Sequence, residues 1–311
     1  MSVAFDEYQR RKNEEFYKNR EIEFKTFAAD SRFARALAVD FHKRMKKEKV
    51  KVYEFGIGDG GLGVRFMLEL RRLSENLAEN TIYHFCDFSG KLVKNATKRA
   101  DSFGFNVDGI VYDAVEKDPD FLVEPDYILM SEFYDDLPAK ILVRDGKEVM
   151  ELVMEEKGLR KFEGEDEIRR YMMGMPEGYH IPVNITAKKH LDFCISRIKG
   201  WIDVFDYGFR KKEITGMPAE MWNNSIIREF QGQITTDVNF DYLSKEETET
   251  QLEFVERVLG EKLHEVETDR LRYFNEEEIM EKGKELKKYG YEKDFHKDLK
   301  ESRGYLHMRV G

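Results

Sequence analysis

The chain has 311 residues, 41% of them hydrophobic and 13% aromatic, enough to bury a core in one large domain or two small ones. Its formal net charge of −10, with 37% charged residues, excludes a broad basic footprint for nucleic acid. No apolar run is long enough to cross a membrane, and the N-terminal twenty residues are too charged for an export signal. The only two cysteines, Cys86 and Cys194, lie too far apart in sequence to pair as metal ligands, so no metal site is expected, and a reducing cytoplasm fits.

Residues 5–23 read as a polar helix. Phe33, Leu37, Phe41 and Met45 recur at i, i+4 spacing through 31–47, which predicts an amphipathic helix. Together they form an N-terminal helical segment, 1–48, ahead of a main domain over 49–311. VKVYEFG (50–56) is a strand running into a glycine loop, and LGVRFMLELRRLSE (62–75) is the helix that leaves it. TIYHFCDFS (81–89) is a second strand, KLVKNATKRADSFG (91–104) a helix closed by Gly104, and VDGIVYDA (107–114) a third strand. PDYILMSEFYDDLP (125–138) is a fourth strand and a loop. This alternation predicts an α/β fold with a doubly wound, mostly parallel sheet.

ILVRDGKEVMELV (141–153) differs: two β-rich runs flank Asp145-Gly146, a hairpin turn signal. With the helix EDEIRRYMM it predicts a helical and hairpin insertion over about 144–180, sitting over the sheet. TAKKHLDFCISRI (186–198) is a helix and GWIDVFDYG (200–208) a fifth strand. Residues 209–244 read as an irregular, substrate-side loop. KEETETQLEFVERVLGE and NEEEIMEKGKELKKYG read as helices, and YEKDFHKDL with RGYLHMRV as a terminal antiparallel hairpin.

The loop itself, Y53-E54-F55-G56-I57-G58-D59-G60-G61, fits two templates. Gly56, Gly58 and Gly61 satisfy the G-x-G-x-x-G of a dinucleotide site. Glu54, Gly56, Gly58 and Gly60 satisfy the E-x-G-x-G-x-G of an S-adenosylmethionine site. The surroundings decide. Asp87, the acid ending the second strand, follows Gly56 by about 30 residues, where a dinucleotide fold places its ribose acid about 20 on. Glu54 would repel a pyrophosphate but suits a ligand bearing a sulfonium and an ammonium. Asp87 is placed for the ribose hydroxyls and Asp113, ending the third strand, for the adenine amine. The expected cofactor is therefore S-adenosyl-L-methionine, held by Glu54, Gly56, Gly58, Gly60, Asp87 and Asp113.

Six segments, in order, carry a resemblance: FKTFAADSRFARALA (24–38), the glycine loop, SEFYDDLP (131–138), RDGKEVMELV (144–153), FDYG (205–208) and QITTDVNF (233–240). The chain resembles the MidA-like methyltransferases, the family that includes the mitochondrial complex I assembly factor with protein arginine methyltransferase activity. The resemblance implies a class I, Rossmann-like methyltransferase with a protein substrate, no nucleic acid and no membrane. The sequence departs from the family pattern near the expected substrate cleft. Ala28, Ala29, Asp30 and Ser31 stand for P-E-I-S, Ser131 for Asn, Gln233 for Asp and Asp237 for His, and the stretch between Tyr207 and Gln233 is short.

An arginine acceptor cannot be deprotonated in advance, because its pKa exceeds ~12. Carboxylates grip it instead through charge-assisted hydrogen bonds. The resemblance thus points to Glu132 and Asp135 beyond the fourth strand, Asp206 and Tyr207 at the end of the fifth, and Asp237 as the catalytic set. A methyltransferase for a small molecule or another side chain, and an assembly factor that binds the cofactor without turnover, are the alternatives.

Overall fold

The computed structural model describes residues 3–19, 30–154, 158–267, 271–275, 277–279, 281 and 304–311. Its centre is an eight-stranded mixed sheet. In chain order the strands are β1 (Val50–Phe55), β2 (Thr81–Asp87), β3 (Val107–Val111), β4 (Tyr127–Ser131), β5 (Trp201–Phe209), β6 (Val238–Asn239), β7 (Thr248–Thr250) and β8 (Gly304–Val310). Their spatial order is β7-β8-β5-β4-β1-β2-β3, with β6 beside the end of β5. β3, β2, β1, β4 and β5 run parallel. All five residues of β4 are buried, as a strand covered on both faces must be.

The longer helices are α1 (Phe5–Asn19), α2 (Ser31–Arg44), α3 (Gly61–Leu73), α4 (Gly90–Asp101), α5 (Ile185–Arg197) and α6 (Gln251–Leu259), besides shorter ones such as Asp166–Met173. Side chains of β4 alternate between two cores. Tyr127 and Leu129 join Phe33, Phe41, Phe66, Ala96 and Phe254 from α2, α3, α4 and α6. Ile128 and Met130 face the other way, onto Ala187, Leu191 and Cys194 of α5. The sheet is therefore covered by helices on both faces. Cys86 and Cys194 are buried free thiols.

Three expectations are revised. RGYLHMRV makes no terminal hairpin among the described residues. As β8 it runs antiparallel between β5 and β7; YEKDFHKDL and most of NEEEIMEKGKELKKYG lie outside the described residues. The insertion spans more than 144–180. Its strands Lys140–Asp145, Glu148–Met154, Gly158–Lys161 and His180–Val183 join Val3–Ala4 in a second, five-stranded sheet with a core of its own around Ile141, Ile181, Phe209 and Trp222. The irregular stretch 209–244 folds into short helices and a hairpin, Ile227–Phe230 with Gln233–Thr236. α1 and α2, adjacent in sequence, pack apart: α2 on α3 and α6, α1 on the second sheet and that hairpin. No helix among the described residues is long and apolar enough to cross a membrane.

β8 is locked in by charge. His307 contacts Asp203 Oδ1 through Nε2 and Glu249 Oε1 through Nδ1, each at 2.9 Å, and stacks on Phe205. With a carboxylate on each ring nitrogen, both nitrogens are donors and the ring is cationic. Burial works against that charge and nearby Arg309 opposes it, yet the two carboxylates hold the pKa above its ordinary value. Arg309 in turn donates to Asp203 and Asp40. A raised folded-state pKa stabilises below the unfolded value of about 6.5 and is lost as pH rises through the folded one. His307→Asn is therefore expected to cost on the order of 3 kcal/mol at pH 6. Denaturant midpoints of wild type and variant should converge as the pH is raised above about 6; a gap that stays constant would show a neutral imidazole.

Candidate cofactor and acceptor site

The carboxyl ends of β1, β2, β4 and β5 meet at one edge of the sheet, where ligands bind in such folds. Gly56, Gly58 and Gly60 all lie in the left-handed region, with φ of +69°, +53° and +72°. The loop has no slack. A Cβ on Gly56 would stand 2.9 Å from Phe133, and one on Gly60 would stand 2.4 Å from Ala96 of α4. Gly60 N–H donates back to Ile57 O, and Gly56 N–H crosses to Cys86 O on β2. Gly60 caps α3 without a side chain, so the helix's first-turn N–H groups, apart from Gly61 on Asp59 Oδ1, have no capping side chain. This backbone fits a nucleoside cofactor: it approaches closely and presents N–H donors.

The three acids expected around that cofactor fall in different environments. Asp87 ends β2 beside the loop. One oxygen accepts the Ser89 N–H at 2.8 Å, and burial pushes its pKa up to about 7. Asp113 lies two residues beyond β3, and its carboxylate accepts the Val115 N–H at 2.8 Å. Glu54 is different. It is only 2% exposed, accepts the Tyr83 hydroxyl at 2.9 Å, and lies so close to α3 that a Cβ on Gly63 would meet its Oε2 at 2.5 Å. Burial pushes its pKa up to about 8. Its carboxyl braces β1 against β2 and α3.

On the acceptor side the loop after β4 is built around Asp206. Its Oδ2 accepts the N–H groups of Phe133, Tyr134 and Asp135 at 3.2, 2.8 and 3.3 Å, and its Oδ1 accepts Tyr207 N–H at 2.8 Å. Asp206 was expected to face Glu132 and Asp135 from the fifth strand; its oxygens accept the backbone of that loop and hold it. Burial, with Glu132 and Asp136 nearby, raises its pKa to about 8 against the pull of these donors. Glu132 is one of few non-glycine residues in the left-handed region, at φ +51°, a strained conformation typical of functional sites. Its N–H donates to Phe205 O, and its Oε1 accepts the hydroxyl of Tyr305, which also touches Ser131 Oγ at 2.9 Å.

Asp135 and Asp237, 5% and 2% exposed, converge on a residue that sequence reasoning missed. Arg228 pairs with Asp237 through Nη1, turns Nη2 toward Asp135 Oδ2 at 3.8 Å, and lies over the Tyr207 ring at 4.8 Å. Burial and the charges of Asp206 and Asp136 raise the Asp135 pKa well above the ordinary range, against the pull of Arg228. Asp136 was also missed. It accepts from Tyr17 at 2.5 Å and from Gln233 Nε2 at 2.7 and 2.9 Å. Gln9 and Asn13 of α1 reach the main chain of Asp135, Asp136 and Ile234. The signal for this was present in the sequence: Gln9, Asn13 and Tyr17 recur every four residues, a polar stripe on a helix.

A glycine loop at the carboxyl edge of a mixed sheet, with helices on both faces, defines a methyltransferase-like α/β fold. The model of one family, described as "Putative S-adenosyl-L-methionine-dependent methyltransferase", matches residues 33–254, and the chain belongs to that family. It is a methyltransferase with S-adenosyl-L-methionine as cofactor. No curated protein matches its sequence. Among solved structures it is similar to a Burkholderia thailandensis protein crystallised with S-adenosyl-homocysteine, at 18% identity and TM-score 0.61 over 85% of this chain and 74% of that one. It is also similar to an uncharacterised protein of the same superfamily and organism, at 16% identity and TM-score 0.65 over 99% and 87%. These likenesses establish the shared fold.

Gly58 tests the loop. A valine there must adopt φ near +53° with a branched side chain, a strain of about 1–3 kcal/mol. Gly58→Val is expected to keep a cooperative thermal transition and lose calorimetrically detectable binding of S-adenosyl-homocysteine. Near-normal affinity in the folded variant would separate the loop from the cofactor.

Proposed function

We propose that the chain transfers a methyl group to a guanidinium nitrogen of an arginine in a protein substrate. The observation that carries this reading is the set of carboxylates beyond β4, at the end of β5 and just before β6, of which Asp237 and Asp135 already hold one guanidinium, that of Arg228. When bound, the cofactor supplies a methyl group already activated on a sulfonium, so the chain's own work is alignment and charge control. Gly56, Gly58, Gly60 and Asp87 would hold it, with Asp113 toward the adenine. Glu132 and Asp135 face the acceptor. Asp135, its pKa raised by burial and by Asp206 and Asp136, is suited to take up the proton that a methylated guanidinium releases. Tyr207 supplies an aromatic face for a cation. Asp237 shares its charge with Arg228, and Asp206 keeps the loop in place.

A second reading is favoured by one observation: a cleft whose guanidinium place is filled from within suits a cofactor-binding assembly factor without turnover. Radiolabelled methyl transfer to a lysate, followed by acid hydrolysis of labelled bands, separates the readings. Label on arginine supports the proposal. Label in a small solute or on another side chain, or no label, overturns it.

Glu132→Gln gives a sharper test. The amide keeps an acceptor for Tyr305 and the same length, but removes the charge. Single-turnover transfer at saturating cofactor is expected to fall about 10²–10³-fold, roughly 3–4 kcal/mol, as when one preorganised electrostatic contact is deleted. Affinity for S-adenosyl-homocysteine should stay close to wild type. A rate within a few-fold of wild type would remove Glu132 from the site.

A further inference from the structure

We infer that Arg228 is a resident stand-in for the acceptor: it fills the guanidinium slot formed by Asp135, Asp237 and Tyr207, and an incoming arginine must displace it. The inference rests on the arginine reading above and deepens it by naming the slot and its occupant.

Three features argue for a displaceable occupant rather than a structural ion pair. The first is the fit. Arg228 Nη2 is buried and has no hydrogen-bond acceptor. The Asp135 carboxylate that faces it, at 3.8 Å, accepts no hydrogen bond among the described residues. The buried Nη2 donor is thus left just out of reach of that carboxylate, which costs about 1–3 kcal/mol. A guanidinium entering from outside could close that gap, because it is not tethered at Arg228's Cα.

The second feature is how the occupant is mounted. Arg228 lies on one strand of the hairpin, paired with Thr235. The Gln233–Thr236 strand is anchored: Asn13 and Gln9 bind the main chain of Ile234, Gln233 binds Asp136, and Thr236 N–H donates to Asp135 O. The Ile227–Phe230 strand is the outer one. Glu229 and Phe230 are exposed, Phe230 by 59%, and the turn between the strands passes through Gln231 and Gly232, both at positive φ. The outer strand can peel away while the inner one stays.

The third feature is charge. Glu132, Asp135, Asp136, Asp206 and Asp237 cluster here, and each raises the cost of ionising the others. The Arg228 cation offsets part of that cost while no acceptor is bound. Removing it leaves a slot whose strongest available partner is another cation of the same shape, since a guanidinium can fork across two carboxylates and stack on Tyr207.

The test uses the full chain saturated with S-adenosyl-homocysteine and titrates N-acetyl-arginine amide, with the neutral N-acetyl-citrulline amide as control. Arg228→Met, which keeps an apolar stem on Tyr207, is expected to bind the arginine probe at least about tenfold tighter than wild type, with no gain for the citrulline probe. Arg228→Lys keeps a charge on Asp237 but cannot fork toward Asp135, and should gain several-fold. It decides the question if the methionine variant fails to fold. A gain below twofold in the folded variant, or an equal gain for citrulline, overturns the slot. Lysate labelling by wild type stands apart from this: arginine label without a probe gain leaves the arginine reading and removes the stand-in. A probe gain without arginine label keeps the slot and removes the reading.

Discussion

One buried carboxylate sets the geometry on which the site depends. Asp206, at the end of β5, gathers three consecutive N–H groups from the loop after β4 and a fourth from its own neighbour. Buried and without an acceptor, each of those donors would cost about 1–3 kcal/mol. With it, the loop must turn sharply at Glu132, which takes a positive φ while its N–H extends the β4–β5 ladder to Phe205 O. Phe133 is thereby pressed against Gly56. The cofactor loop and the acceptor loop are fixed to each other through one aromatic side chain, and that contact admits only glycine at position 56.

Around this platform the fold concentrates negative charge and then neutralises it piece by piece. Asp206 is satisfied by backbone, Asp136 by Tyr17 and Gln233, and Asp237 by Arg228. Asp135 keeps a more distant cation, and burial with its acidic neighbours raises its pKa. The N-terminal helix is part of the same arrangement. Its Gln9, Asn13 and Tyr17 bind the loop and the hairpin together, so α1 is a wall of the site although it precedes the whole sheet in sequence.

The parts legible in the sequence were those governed by local pattern. The five parallel strands read from their apolar runs, and the glycine loop from the backbone freedom that its turns demand. Asp30 caps α2 and Thr250 with Glu253 caps α6, signals that the helix readings did not use. What was not legible depends on distant pairing. Nothing local says that Gly304–Val310 inserts between β5 and β7, or that this brings Tyr305 to Glu132. Alternation along β1 places Glu54, but only the packing shows that its carboxyl is engaged by Tyr83 and lies against Gly63. Arg228 sat in an irregular stretch among other charges, and its role exists only because a hairpin delivers it to Asp135 and Asp237.

The departures from the MidA-like motif make sense together once these contacts are known. An aspartate at 233, as the resembling family has it, would bring a second carboxyl toward Asp136 and raise the cost of ionising both. Gln233 instead donates to both oxygens of Asp136 and to Tyr17. A histidine at 237 would confront Arg228, where a protonated ring would repel it and a neutral one would offer a single acceptor; Asp237 offers a full counter-charge. One substitution removes a negative charge from the inner strand of the hairpin and the other adds one just past it. The number of acids is kept while the place of the counter-charge moves to Arg228. The cleft's affinity for a cation is thereby tied to the position of a single hairpin strand.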